Sequence, residues 1–361
     1  MEAPPQPEPP SGVRARHETA REYRWKGHSW MWDVRDAIES LSIAQVVMVG
    51  THNAATSDIS WRSRFGRDAP GSLGGGGPVA AVARLFAGGF LGAWTRCQQM
   101  SVEAQLRYGI RYIDLRIAPH PTRPAELYTT HGLLSVRLAD VLQTVRRFLA
   151  DDASSHEVVL LDLQHVFLTP SEPGYVELFR LLAGMQDLCV PTVVDATALP
   201  LRALWASTAR VFVFLGCECA EACTGFVHRR DAFLRSPWKN ESTTRGLLRA
   251  LAEDPPAADA RVFVTQAVLT PDSKTVTRGL LTCGIEPGSV RALAKRCNRR
   301  LVEWFWQRNS TSGECAGEHR NVLMLDYPEM CDMEVSWDGG SLRGSVVDVC
   351  VYLNLLRASP T

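Results

Sequence analysis

Seven short β-branched runs, spread along 361 residues and separated by stretches of helical period, predict an α/β protein. Strands and helices alternating in this number predict one architecture: a single irregular (β/α)8-type TIM barrel. A hydrophobic content of 45% with 22% charged residues supplies a large core and excludes a disordered chain. There is no internal repeat, and the chemistry-bearing segments straddle most of the chain. One domain is therefore expected, over residues 30–356.

Each element has its own signal. Residues 1–22, opening "MEAPPQPEPPSG", are Pro-rich and are expected to form a disordered tail. "WMWDVRDAIESL" predicts a short helix or turn that feeds the first strand, "VVMVG". Then follow "GIRYIDLRIA", "AELYTT", "HEVVLLDLQHV", "ARVFVFLGC", "ARVFVTQAV" and "NVLMLDYP". Between several of them lie "LADVLQTVRRFLA", "TTRGLLRALAED" and "SVRALAKRCNRRLVEWFWQRN", each with apolar residues at helical spacing. A Gly-rich and then apolar insertion at about 63–96 interrupts the alternation. It is read as a loop with a buried helix beside the barrel mouth. The alternative is an interfacial element entering lipid with Phe86, Phe90, Leu91 and Trp94.

Composition narrows the partners. With 39 basic and 39 acidic side chains, nothing suggests a nucleic-acid partner, and no stretch reads as a transmembrane segment. The ten cysteines are scattered, and the start lacks a secretory pattern, so a reduced, cytoplasmic protein is expected. The tight cluster Cys217, Cys219 and Cys223 lacks the paired spacing of a zinc ribbon and is read as thiols without metal.

In α/β folds the carboxyl ends of the strands face the ligand crevice. Those ends carry His52 and Asn53, Asp114 and Arg116, His131, Asp162 and Gln164, and Asp326. Two imidazoles can serve as general base and general acid. An arginine between them suits a phosphate whose charge grows in the transition state, and an aspartate on a ring nitrogen fixes the tautomer. The set reads as a phosphodiester site. Asp162 is read as structural. His120, His165 and His228 have no motif support, and "WFWQ" is read as packing.

The ordered series "GTHNAA", "GIRYIDLR", "YTTHGLL" and "VVLLDLQH", with weaker "SPWKNESTTRGLLRAL" and "NVLMLDYPEM", resembles the X domain of phosphatidylinositol-specific phospholipase C. It looks closest to the small proteins carrying only that domain, and the resemblance spans about residues 30–356. It implies cleavage of phosphatidylinositol-type phospholipid at a membrane surface to diacylglycerol and an inositol phosphate. The implied catalytic residues are His52 as general base, Asp326 orienting it, His131 as general acid and Arg116 on the phosphate. Asn53 and Asp114 are implied substrate-binding residues.

Where calcium-dependent members of the family carry a second acidic residue, Arg116 stands here, and Gln164 replaces another carboxylate. A fixed cation disfavours a divalent ion, so no metal or other cofactor is expected. One position departs from the metal-independent pattern: Asn53 replaces the aspartate that pairs with the second histidine, which should weaken the general-acid step. The alternatives are a catalytically weak or inactive X domain that binds lipid or protein, and, ranked last, a calcium-dependent or glycerophosphodiester-type barrel. No basic residue for the inositol ring is identifiable from the sequence.

Overall fold

The apolar runs become strands because their β-branched residues suit a pleated surface covered on both faces. The structure is a computed structural model, and it describes residues 21–22, 24–69, 91–193, 196–216, 225–254, 261–281, 287–310, 320–337 and 340–358. The barrel strands are β2 (Met48–Thr51), β3 (Tyr112–His120), β6 (Val159–Val166), β7 (Val211–Leu215), β8 (Val227–Arg229), β9 (Leu234–Arg235), β10 (Val262–Gln266) and β11 (Val322–Leu325). All seven pairings between neighbours in this ring are parallel. The ring is open only between β8 and β9, which one helical turn, Arg230–Phe233, connects. This is an α/β barrel, irregular at that seam.

Two details differ from the sequence expectation. "AELYTT" belongs to β4 (Arg123–His131), which runs antiparallel to β3 and forms a hairpin with β5 (Leu133–Arg137). It is an outgrowth of the barrel wall. The short strands β8 and β9 go unrecognised because three and two residues are too few to show a period. Outside the barrel, β1 (Arg21–Glu22), β12 (Asp332–Trp337) and β13 (Gly340–Ser345) form a small separate sheet.

Helices Leu138–Ala150, Thr244–Ala252 and Val290–Ser310 form where the helical period lies. In the last of these Phe305 and Trp306 are buried in the core, consistent with packing. Among the described residues, no helix is long and apolar enough to cross a membrane. Of the apolar insertion, residues 70–90 lie outside the described residues, as do Cys217, Cys219 and Cys223. Trp94 is buried and Leu91 half-buried, whereas Phe86 and Phe90 lie outside the described residues.

The two ends of the barrel differ in chemistry. At the amino end, Arg111 and Glu157 form a fully buried ion pair at 2.6 Å. Arg111 also donates to the carbonyls of Gly27, Leu106 and Ile110, and Glu157 accepts from the amides of Met31 and Trp32. Every partner is answered, which is the condition under which buried charges are tolerated. This pair ties the N-terminal turn to the barrel floor and leaves the carboxyl end free for function.

Candidate active site

Strand register alone brings the first groups together. Leu325 pairs with Thr51, so the next residues, Asp326 and His52, leave adjacent parallel strands at one level. Their side chains meet, with His52 Nδ1 2.9 Å from Asp326 Oδ1. On the other side of β2, Thr51 pairs with Ile113, which places Asp114 level with His52. Gly50 lets β2 approach β3: a Cβ there would lie 2.7 Å from Tyr112 Cδ1.

Asn53 turns the chain at the end of β2 with φ 43°, a left-handed conformation that asparagine tolerates. Its amide N–H donates to Asp114 Oδ2 at 2.8 Å, and its side-chain Nδ2 lies 2.8 Å from His52 Nε2. The expectation that Asn53 would stand in for the carboxylate beside the second histidine is therefore corrected. It caps the first one.

His131 ends β4, and Gly132 makes the hairpin turn with φ 71°. Asp68 fixes this corner by accepting from Thr130 Oγ1 at 2.6 Å and from the Gly132 amide at 2.7 Å. The His131 ring centroid lies 5.8 Å from that of His52. Its Nδ1 donates to the Thr95 carbonyl at 2.8 Å, so a backbone oxygen orients this ring and leaves Nε2 free of that bond. Burial, with His52 and Arg116 acting in the same direction, pushes the His131 imidazole down to about 3. At neutral pH the ring is uncharged in the free protein.

Arg116 faces inward two residues beyond Asp114, and its Nε is buried with no hydrogen-bond partner among the described residues. The same is true of Asp114 Oδ1, Asn53 Oδ1 and Gln164 Oε1. A donor and three acceptors left unanswered at one mouth are poised for an external ligand, because orphaned buried polar groups are costly otherwise.

Several residues escape the sequence reading. Gln98, fully buried, donates to the carbonyls of His52 and Leu325 at 2.9 and 3.0 Å and accepts from the Tyr327 amide at 3.2 Å. It staples the strand ends that present His52 and Asp326. Asn298, on the helix Val290–Ser310, donates to the Asp326 carbonyl at 2.8 Å. Cys97 lies beneath both histidines, its Sγ 3.4 Å from His131 Nδ1 and 3.7 Å from Asn53 Nδ2. Burial pushes its thiol well above the usual range.

Arg230, at the barrel seam, pairs with Asp162 at 2.8 Å, and the Tyr112 hydroxyl donates to the same carboxylate. This cation comes from the helical turn between β8 and β9. Trp238, 40% exposed, holds its ring 5.5 Å from His52. Its place on a loop after a two-residue strand carries no periodic signal. For a metal, the described residues offer one group: His52, Cys97 and Asp326 hold ligand atoms within 4.8 Å of one another.

Fold and mouth together define an α/β barrel with two histidines, a guanidinium and a carboxylate at the carboxyl ends of its strands. No protein-family model matches the chain. It is, however, 37% identical over 358 residues to the variant-surface-glycoprotein phospholipase C of Trypanosoma cruzi, covering 93% of each chain. The protein of the same name from Trypanosoma brucei brucei is 33% identical over 354 residues, covering 92% of this chain and 97% of that one. Human PI-PLC X domain-containing protein 3 is 26% identical over 306 residues, or 84% of this chain and 90% of that one. Among solved structures, the phosphatidylinositol-specific phospholipase C from Listeria monocytogenes superposes with a TM-score of 0.56 at 13% identity, covering 93% of this chain and all of that one. That last likeness speaks for the fold. The chain belongs to the phosphatidylinositol-specific phospholipase C X-domain family.

Proposed function

We propose that the protein is a phosphodiesterase of phospholipase C type, cleaving phosphatidylinositol-type phospholipid by acid–base catalysis without a metal. The observation that carries this reading is the closeness of His52, paired with Asp326, to His131, their ring centroids 5.8 Å apart, beside Arg116, whose charge acts on His131 and whose buried Nε has no partner among the described residues. The relatives are named as phospholipases C, which supports the reaction class.

In this mechanism His52 Nε2 takes the proton of the inositol 2-hydroxyl, which attacks phosphorus within the same molecule. Asp326 on Nδ1–H fixes the tautomer and stabilises the imidazolium that forms. The hydroxyl takes the place that the Asn53 amide holds in the free protein. Arg116, with its unanswered Nε, meets the phosphate oxygens as their charge grows. His131, aligned by Thr95, gives a proton through Nε2 to the departing diacylglycerol oxygen. Its low proton affinity in the free site is offset when the phosphodiester anion arrives between the rings. The product is a cyclic inositol phosphate, which the same pair hydrolyses with roles reversed.

Access fits a peripheral enzyme. Trp61 and Trp238 are 55% and 40% exposed, and we assign them to contact with the bilayer. The two trypanosome relatives are named for a surface glycoprotein, so a glycoprotein bearing a phosphatidylinositol-type lipid is a substrate to test beside the free lipid. The five cysteines among the described residues that are free are all buried, in keeping with a reducing, cytoplasmic setting.

A second reading, a lipid-binding X domain with weak turnover, is favoured by one contact: the Asn53 amide on His52 Nε2 blocks the base in the free protein. Incubation of purified protein with phosphatidylinositol vesicles, with and without chelator, decides between them. Release of diacylglycerol in chelator supports the phosphodiesterase. Vesicle binding without release supports the module.

A further inference from the structure

Three side chains hold or move a proton in the proposed chemistry, and each is followed at once by a residue in the left-handed region. Asn53 follows His52 with φ 43°, Gly132 follows His131 with φ 71°, and Tyr327 follows Asp326 with φ 47°. Glycine and asparagine enter this region readily, whereas the Cβ of a bulky residue is crowded there. Among the described residues other than glycine, positive φ occurs at Asn53, Asn240 and Tyr327, so the tyrosine is the exception. Such a conformation persists only where the surroundings impose it.

The surroundings of Tyr327 do so. The residue is buried, and its hydroxyl donates to the Arg96 carbonyl at 2.8 Å. Its amide reaches the Cys97 carbonyl and Gln98 Oε1, each at 3.2 Å. Its carbonyl accepts from the Met330 amide at 3.1 Å and from Asn298 Nδ2 at 3.3 Å. Burial pushes the phenol up, so it remains a donor at neutral pH. Arg96 is itself tethered, its Nε donating to the Ile59 carbonyl at 3.0 Å. The same short segment supplies the Thr95 carbonyl that orients His131. Residues 95–98 therefore touch both halves of the proposed chemistry, and Tyr327 joins them to the Asp326 side.

We infer that Tyr327 is a positioning residue: its hydroxyl, anchored on the Arg96 carbonyl, locks the left-handed turn that holds the Asp326 carboxylate on His52 Nδ1. Buried and fully bonded, it acts through Asp326 and not on the lipid. The same anchor keeps the His52–Asp326 pair in register with His131, which bonds one residue earlier in that segment. The consequence for turnover rests on the phosphodiesterase reading, whereas the state of the His52–Asp326 hydrogen bond does not.

The test compares the full-length wild type with Tyr327→Phe, which keeps the ring and removes the bond. Circular dichroism checks folding. NMR with histidine-selective isotope labelling reads the Nδ1 proton of His52, assigned by its loss from His52→Ala. The expected result is a downfield signal in wild type that broadens or moves upfield in Tyr327→Phe. With it, kcat falls about 10–100-fold while KM stays within about twofold. Tyr327→Asn, a second variant that takes the left-handed turn freely but has no phenol, loses kcat likewise. In folded, active enzyme, a Tyr327→Phe change in neither signal nor kcat, or in only one of them, overturns the inference. So does wild-type kcat in folded Tyr327→Asn. Where the wild type shows no turnover, a signal that shifts in Tyr327→Phe keeps the positioning role and removes the phosphodiesterase.

Discussion

His52 and Asp326 are 274 residues apart in sequence, yet Nδ1 of one lies 2.9 Å from Oδ1 of the other, because β2 and β11 are neighbours that end at one level. The pairing makes Nε2 the basic nitrogen of His52. Replacing Asp326 with Asn keeps the shape but removes the charge proposed to stabilise the imidazolium. Steady-state kinetics should show kcat falling by about 10²–10⁴-fold with KM nearly unchanged. A wild-type kcat would remove the assigned role.

His131 is proposed to protonate the leaving oxygen, so its importance should depend on the leaving group. His131→Ala should lower cleavage of phosphatidylinositol by about 10²–10⁴-fold. With an inositol phosphodiester whose leaving group is a nitrophenol, which departs without a proton, the loss should be much smaller. Equal losses on both substrates would indicate a structural role for the ring.

Arg116 is proposed to present a fork to the phosphate, which lysine cannot reproduce. Arg116→Lys should cost about 10²–10³-fold in kcat, as removal of one transition-state donor does elsewhere. Restoration by added calcium would show that the guanidinium merely occupies an ion's place.

The depressed proton affinity of His131 links stability to acidity. In the unfolded chain its imidazole takes a proton near the ordinary value of about 6.5, whereas the folded protein resists until about 3. Between these limits the unfolded state binds more protons, so this contribution is fully present above about 6.5 and is lost as pH falls toward 3. His131→Gln should flatten the dependence of denaturation midpoint on pH over that window. An unchanged slope would show that the ring is not held neutral.

Gln98 bridges the two strand ends through three hydrogen bonds. Gln98→Leu leaves the buried His52 carbonyl without its partner, while the Leu325 carbonyl keeps the His52 amide, and should destabilise the fold by about 1–3 kcal/mol in urea titrations. A change within experimental scatter would mean that water replaces the staple.

The barrel and most strand-end residues are legible in the sequence because both signals are local. β-branched runs mark the strands, and a polar residue ending such a run marks the mouth. That is how His52, Asp114, Arg116 and Asp326 are found. Thr95, Cys97 and Gln98 come from the end of the Gly-rich and apolar insertion and the residues just after it, where no period marks a position, and their roles exist only through contacts made after folding. Thr95 acts through its carbonyl, which no side-chain pattern reveals. Arg230 is hidden because its neighbouring strands are too short to announce a strand end. The partner of Asn53 turned on the left-handed turn at that residue, which aims the amide at His52 in place of His131.

The most direct test measures diacylglycerol release from phosphatidylinositol vesicles in excess chelator, for wild type and His52→Ala side by side, with folding of both checked by circular dichroism. The account predicts steady turnover by the first and a fall to background in the second. Turnover that disappears with chelator and returns with calcium, or a His52→Ala protein as fast as wild type, would contradict it.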